Sequence, residues 1–159
     1  MRIMPIELFV MPDEYGPPSP AYEATRAAIL ANGLEIVSEQ RIGDKASGRQ
    51  VLMVSGFVVA VSRKRFAGLR PACETVAIRL TQLAPQIMAV LADPAVMRAD
   101  LDVLLDCGRP PDWRPDNQPA LPPQLVELAG RCNVRLSVLG ANYEVIASTG
   151  GPAGATWWL

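Results

Sequence analysis

Ala99-Asp100-Leu101-Asp102-Val103-Leu104-Leu105-Asp106-Cys107 alternates apolar with mostly acidic side chains. Successive side chains of a strand point to opposite faces. Leu101, Val103, Leu105 and Cys107 therefore share one side, and Asp100, Asp102, Leu104 and Asp106 share the other. A strand with one apolar side belongs in a sheet that buries that side under another layer.

The flanking sequence supplies that layer. Upstream, Pro71 opens a helical pattern in which Val76, Leu80 and Leu83 share a face. Pro85 lies inside it, and an interior proline removes a hydrogen bond and clashes with the preceding turn. The expectation is two helices, over 72–83 and 85–92, or one helix kinked at Pro85, stopped by Asp93-Pro94. Downstream, residues 108–119 form a proline-rich loop holding Trp113. A helix over 122–133 follows, with Leu121, Leu125, Leu128, Ala129 and Cys132 on its buried side, and then a strand over 134–139.

Nearer the N-terminus, residues 6–11 read as a strand and 11–18 as a loop of helix breakers. Ser19 then caps a helix with Pro20 at its first position, where a missing N–H costs nothing. Tyr22, Thr25, Ile29 and Leu30 line one side of it, and Asn32-Gly33 ends it. A strand over 34–42 and a polar hairpin loop over 43–48 lead into residues 51–61. That stretch is one long strand, or two with a bulge at Ser55-Gly56. Its near-continuous apolar character predicts a central strand covered on both faces.

The order is β-α-β-β-α-(α)-β-α-β. It predicts an α+β fold, a mixed β-sheet with helices packed on it, ferredoxin-like or a duplicated relative of that core. One domain over 1–147 and a Gly-rich tail over 148–159, ending in Trp157-Trp158-Leu159, account for the 159 residues.

Composition narrows the chemistry. Half of the residues are apolar, so one proper core needs no metal or disulfide to hold it. Fifteen basic and sixteen acidic side chains leave a net charge of −1, which gives no footprint for nucleic acid and no attraction to an anionic membrane. The apolar runs are strand-sized, and residues 6–11 are interrupted by Glu7 and flanked by prolines, so neither a membrane span nor a signal peptide is expected and the cytoplasm is the default location. Cys73, Cys107 and Cys132 are widely spaced without a C-x-x-C pair and read as small buried hydrophobes. The chain has no histidine. That excludes Ser-His-Asp and Cys-His nucleophile pairs and imidazole metal ligands within it.

The stretch 75–143 carries a resemblance. It runs from a helix ending Thr81-Gln82-Leu83-Ala84-Pro85, through Gln86-Ile87-Met88-Ala89-Val90-Leu91 and the strand at 99–105, to Leu121-Pro122-Pro123-Gln124-Leu125-Val126-Glu127-Leu128-Ala129 and Val134-Arg135-Leu136-Ser137-Val138. This order resembles bacterial domains of unknown function grouped as DUF4279, some of whose relatives look like immunity proteins that neutralise polymorphic toxins. The resemblance spans under half of the chain and implies no catalytic residue.

Asp100, Asp102 and Asp106 could offer oxygen ligands to Mg²⁺ or Ca²⁺, but such sites gather ligands from several elements, and a solvated acidic face is the simpler reading. Arg63-Lys64-Arg65, with Arg70 nearby, could touch phosphate, against the simpler reading of a solvated loop. Trp113, Trp157 and Trp158 are of the residue type enriched at binding hot spots. The tail indoles are expected to dock, either on their own domain or on a second chain, a partner toxin or another copy in a homo-oligomer.

The reading that follows is a non-enzymatic protein-binding module without cofactor or metal, an immunity-type protein that binds and neutralises a toxin. Asp100, Asp102, Asp106, Trp113, Trp157 and Trp158 are its candidate contact residues. Its rival is a small carboxylate-dependent enzyme, with or without Mg²⁺, using Asp13 and Glu14 or the 100/102/106 group. A structural scaffold component is the third reading.

Overall fold

The computed structural model describes residues 5–14, 19–43, 55–104, 123–140 and 145–148. The order of elements is β1 (Ile6–Pro12), α1 (Pro20–Ala31), β2 (Ile36–Gln40), β3 (Gly56–Ser62), α2 (Leu69–Leu91), β4 (Val96–Leu104), α3 (Pro123–Arg131), β5 (Val134–Leu139) and β6 (Val145–Ser148). The strands form one mixed sheet in the order β2-β3-β1-β4-β5-β6.

The first four strands and two helices have the topology of a ferredoxin-like split β-α-β core. β3 is antiparallel to both β2 and β1, and β1 is antiparallel to β4. The chain then crosses through α3 to place β5 parallel to β4, and β6 closes the edge antiparallel to β5. β6 extends the strand count beyond the sequence pattern, and it takes in Ser148, the first residue assigned to the tail.

Register puts the core on one face. Leu8 stands opposite both Leu101 and Val59, Val10 opposite Ala99 and Phe57, and Leu101 opposite Leu136. These residues join Tyr22 and Ile29 of α1, Val76 and Leu80 of α2, and Leu125 and Ala129 of α3 in a single buried cluster. The three described helices thus cover the same face of the sheet.

Several local expectations hold. The Ser19 side chain accepts the Ala21 N–H at the start of α1, and Gly33, after the cap residue Asn32, takes the left-handed φ of 74°. Leu101 and Val103 are buried, as are Cys73 and Cys132. Burial raises both of these thiols above their ordinary pKa.

Other expectations change. Leu30 is 57% exposed, because the buried stripe of α1 runs through Tyr22, Thr25 and Ile29 alone. Of the two alternatives left open at Pro85, two helices or one, the chain takes one continuous helix. Its inward positions Val76, Leu80, Leu83, Ile87 and Val90 stay in phase across the proline, which sits on the exposed side where water can meet the freed carbonyl. Residues 51–61 are expected to be covered on both faces. Within β3, Phe57, Val59 and Val61 lie under the helices, while Val58, Ala60 and Ser62 are only half-buried on the other face. The strand over 34–42 narrows to Ile36–Gln40. Among the described residues no helix is long and apolar enough to cross a membrane.

Candidate functional site

The sheet face away from the helices carries the chemistry. In β1 it presents Glu7, Phe9 and Met11, the alternates of the core residues Ile6, Leu8 and Val10. In β4 it presents Arg98, Asp100, Asp102 and Leu104, and in β5 Arg135, Ser137 and Leu139. Antiparallel and parallel register then fix the neighbours: Glu7 beside Asp102, Phe9 beside Asp100, Asp100 beside Arg135, and Leu104 beside Leu139.

A groove of about 400 Å³ opens on this face. Phe9, Val58, Leu104 and Leu139 form its apolar walls, and Glu7 and Asp102 supply carboxylates. Its volume is within the range of small-ligand pockets.

The two strand aspartates do different work. Asp100 is buried, and its Oδ2 accepts from Arg135 Nη2 at 2.6 Å. Arg98 Nη2 stands 3.4 Å from the same oxygen. Its Oδ1 is buried and accepts no hydrogen bond among the described residues. Asp102 lines the groove with its pKa pushed up to about 6. Burial is the main cause, the Asp100 carboxylate adds to it, and Arg135 and Arg98 pull weakly the other way.

Asp100 is committed to arginines, and no cluster of three acidic, cysteine or histidine side chains suited to a metal occurs among the described residues. Asp106, Trp113, Trp157 and Trp158, and with them Leu105 and Cys107, lie outside the described residues.

Asp13 and Glu14, the other carboxylates considered, do not line the groove. Asp13 is exposed, and its backbone N–H donates to Ala95 O at 2.7 Å. Glu14 is buried in a structural network. Its Oε1 accepts from Ser19 N at 2.7 Å and from Arg41 Nη2 at 3.2 Å, and its Oε2 accepts from Ser55 Oγ at 2.5 Å. Ser55 Oγ in turn accepts from Ile42 N at 2.9 Å. Burial alone would raise the Glu14 pKa, but the bonds from Ser55, Ser19 and Arg41 outweigh it and hold the group below the ordinary carboxylate range. The Arg41 guanidinium stacks on Tyr22, 4.4 Å from the ring centre, and Tyr22 packs against Phe57 at 4.7 Å. Glu14 therefore ties the start of α1 to the strands, with both of its oxygens engaged by Ser19, Arg41 and Ser55.

The groove residues missed from sequence are Glu7, Phe9, Val58, Leu104 and Leu139 as a set. The alternation of residues 6–10 carried a signal, since Glu7 and Phe9 fall out of phase with Ile6, Leu8 and Val10. Their convergence with β4 and β5 depends on register, which the sequence does not state.

Comparison with family models, with curated proteins and with solved structures found no match for the chain.

Proposed function

We propose that this chain is a non-enzymatic protein-binding module of the immunity type, whose sheet face opposite the described helices docks on a partner toxin and neutralises it. One observation carries the reading: the apolar groove of Phe9, Val58, Leu104 and Leu139 bears the carboxylates of Glu7 and Asp102. Such a surface suits a partner that presents a lysine or arginine among apolar side chains, because apolar contact supplies affinity and charge complementarity supplies register and on-rate. Occluding a basic active site needs no chemistry of the inhibitor's own.

The test is co-expression with a toxin encoded beside this chain. The wild-type protein should restore growth and copurify with the toxin. Glu7→Lys reverses an exposed groove charge and should abolish both while leaving melting unchanged. A wild-type chain that neither rescues growth nor copurifies overturns the reading, and so does a Glu7→Lys chain that behaves like wild type.

A second reading rests on Asp102. A groove carboxylate that titrates near 6, beside the exposed Glu7, suits general acid–base work. On that reading a substrate analogue fills the groove, and its turnover falls with pH as Asp102 loses its proton.

A further inference from the structure

A second concavity lies where the end of β3 meets α2, and it shares no residue with the groove. Its volume is about 510 Å³. Leu34, Ala60 and Leu83 give it apolar walls, and Arg63, Lys64 and Arg79 bring three cations to it. Ser62 and Thr75 add hydroxyls. Two of these cations belong to the basic run 63–65, which the groove does not use.

The cations are held differently. Arg79 is anchored from behind: its Nε donates to Val61 O at 2.9 Å and its Nη1 to Gln82 Oε1 at 2.6 Å. A guanidinium has five N–H donors in a rigid fork. Anchoring at Nε and Nη1 fixes the plane of the fork and leaves Nη2 for another acceptor. Arg63 pairs with Glu35, the single acidic side chain lining the cleft among the described residues. Lys64 is exposed, and its backbone N–H donates to Ser62 Oγ at 3.3 Å. Among the described lining residues, three cations against one carboxylate give a local charge of +2 in a chain whose total is −1.

We infer that this cleft binds a small phosphomonoester, its phosphate held by Arg79 and Lys64 with the Ser62 and Thr75 hydroxyls, and its organic body against Leu34 and Leu83. A pre-oriented arginine fork matches phosphate geometry, and a lysine adds a mobile point charge. The volume exceeds what a bare phosphate fills, so the apolar walls select for an organic body as well.

The experiment is a titration of the ¹⁵N-labelled chain with inorganic phosphate and with phenyl phosphate, at constant ionic strength so that screening does not vary. Saturable shifts should concentrate on the amides of residues 33–35, 60–64 and 75–83, with phenyl phosphate binding more tightly than inorganic phosphate. Lys64→Glu should weaken phenyl phosphate about tenfold or more. Arg79→Lys keeps the charge but removes the fork, and it should weaken binding with the amide spectrum otherwise preserved. Arg70→Glu, on the exposed first turn of α2 and outside the cleft, should leave binding as it was. Absence of saturable shifts overturns the proposal. An equal loss with Arg70→Glu also overturns it, because diffuse surface charge would then explain the binding. Phosphate binding as tightly as phenyl phosphate removes the organic body from the assignment.

Discussion

The ring of Phe9 lies over Gly56: a Cβ placed on that glycine would fall 2.1 Å from Phe9 Cζ and 2.4 Å from Cε2. The bare Cα of β3 thus seats the aromatic wall of the groove, a cross-strand pairing in which an aromatic side chain covers a strand glycine. Gly56→Ala should push the ring off the sheet and cost on the order of 1–3 kcal/mol by overpacking. In urea unfolding, Phe9→Ala should recover much of that loss in the double variant, because the clash needs both groups. Additive single and double losses would separate the two residues.

Asp102 should make stability fall as pH rises. Its folded pKa is about 6 against an ordinary 3.8, so the folded state holds the proton more tightly than the unfolded state. Stability is therefore fullest below the unfolded value, declines between the two values, and stays lower above the folded one. Asp102→Asn should remove this slope and stabilise the protein at neutral pH by roughly 1–3 kcal/mol. Urea midpoints at acidic and neutral pH check it. A wild-type-to-variant difference that does not change with pH would count against the assignment.

Glu14 should act in the opposite direction. Its folded pKa lies below the ordinary 4.5, so its stabilising contribution is present above that value and is lost as pH falls through the folded pKa. Glu14→Gln keeps the shape but weakens the bonds from Ser55, Ser19 and Arg41. The expected loss at neutral pH is about 1–3 kcal/mol, shrinking in acid. A denaturation series over the acidic range reads the shrinkage directly.

Pro85→Ala should stabilise the protein. The proline sits in the interior of α2 on its exposed side, where it forfeits the bond from residue 85 to the Thr81 carbonyl. Alanine restores that donor. The helix gains about 3 kcal/mol by propensity, against roughly 1 kcal/mol from the freer unfolded chain. A melting temperature unchanged or lowered by the substitution would mean that α2 is shaped by the proline.

The sequence by itself determined the class of fold, most of the elements and the inward side of several of them. The Ser19 cap, the Gly33 stop and the inward phase of Leu101 and Val103 depend on residues a few positions apart, and caps and periodicity act over that range. Tertiary structure decided the rest. Pro85 reads locally as a break or a kink, and the stripe from Val76 to Val90 buries enough apolar surface to carry one helix through it. Glu14 reads as a loop carboxylate and becomes a buried anchor only when Arg41 and Ser55 arrive from the far ends of β2 and β3. Glu7 and Asp102 are 95 positions apart along the chain and become neighbours through the pairing of β1 with β4. Strand order and register are set by the burial of the whole sheet face at once. A one-residue slip would turn each core side chain outward, so the groove is a consequence of packing that no local stretch of residues encodes.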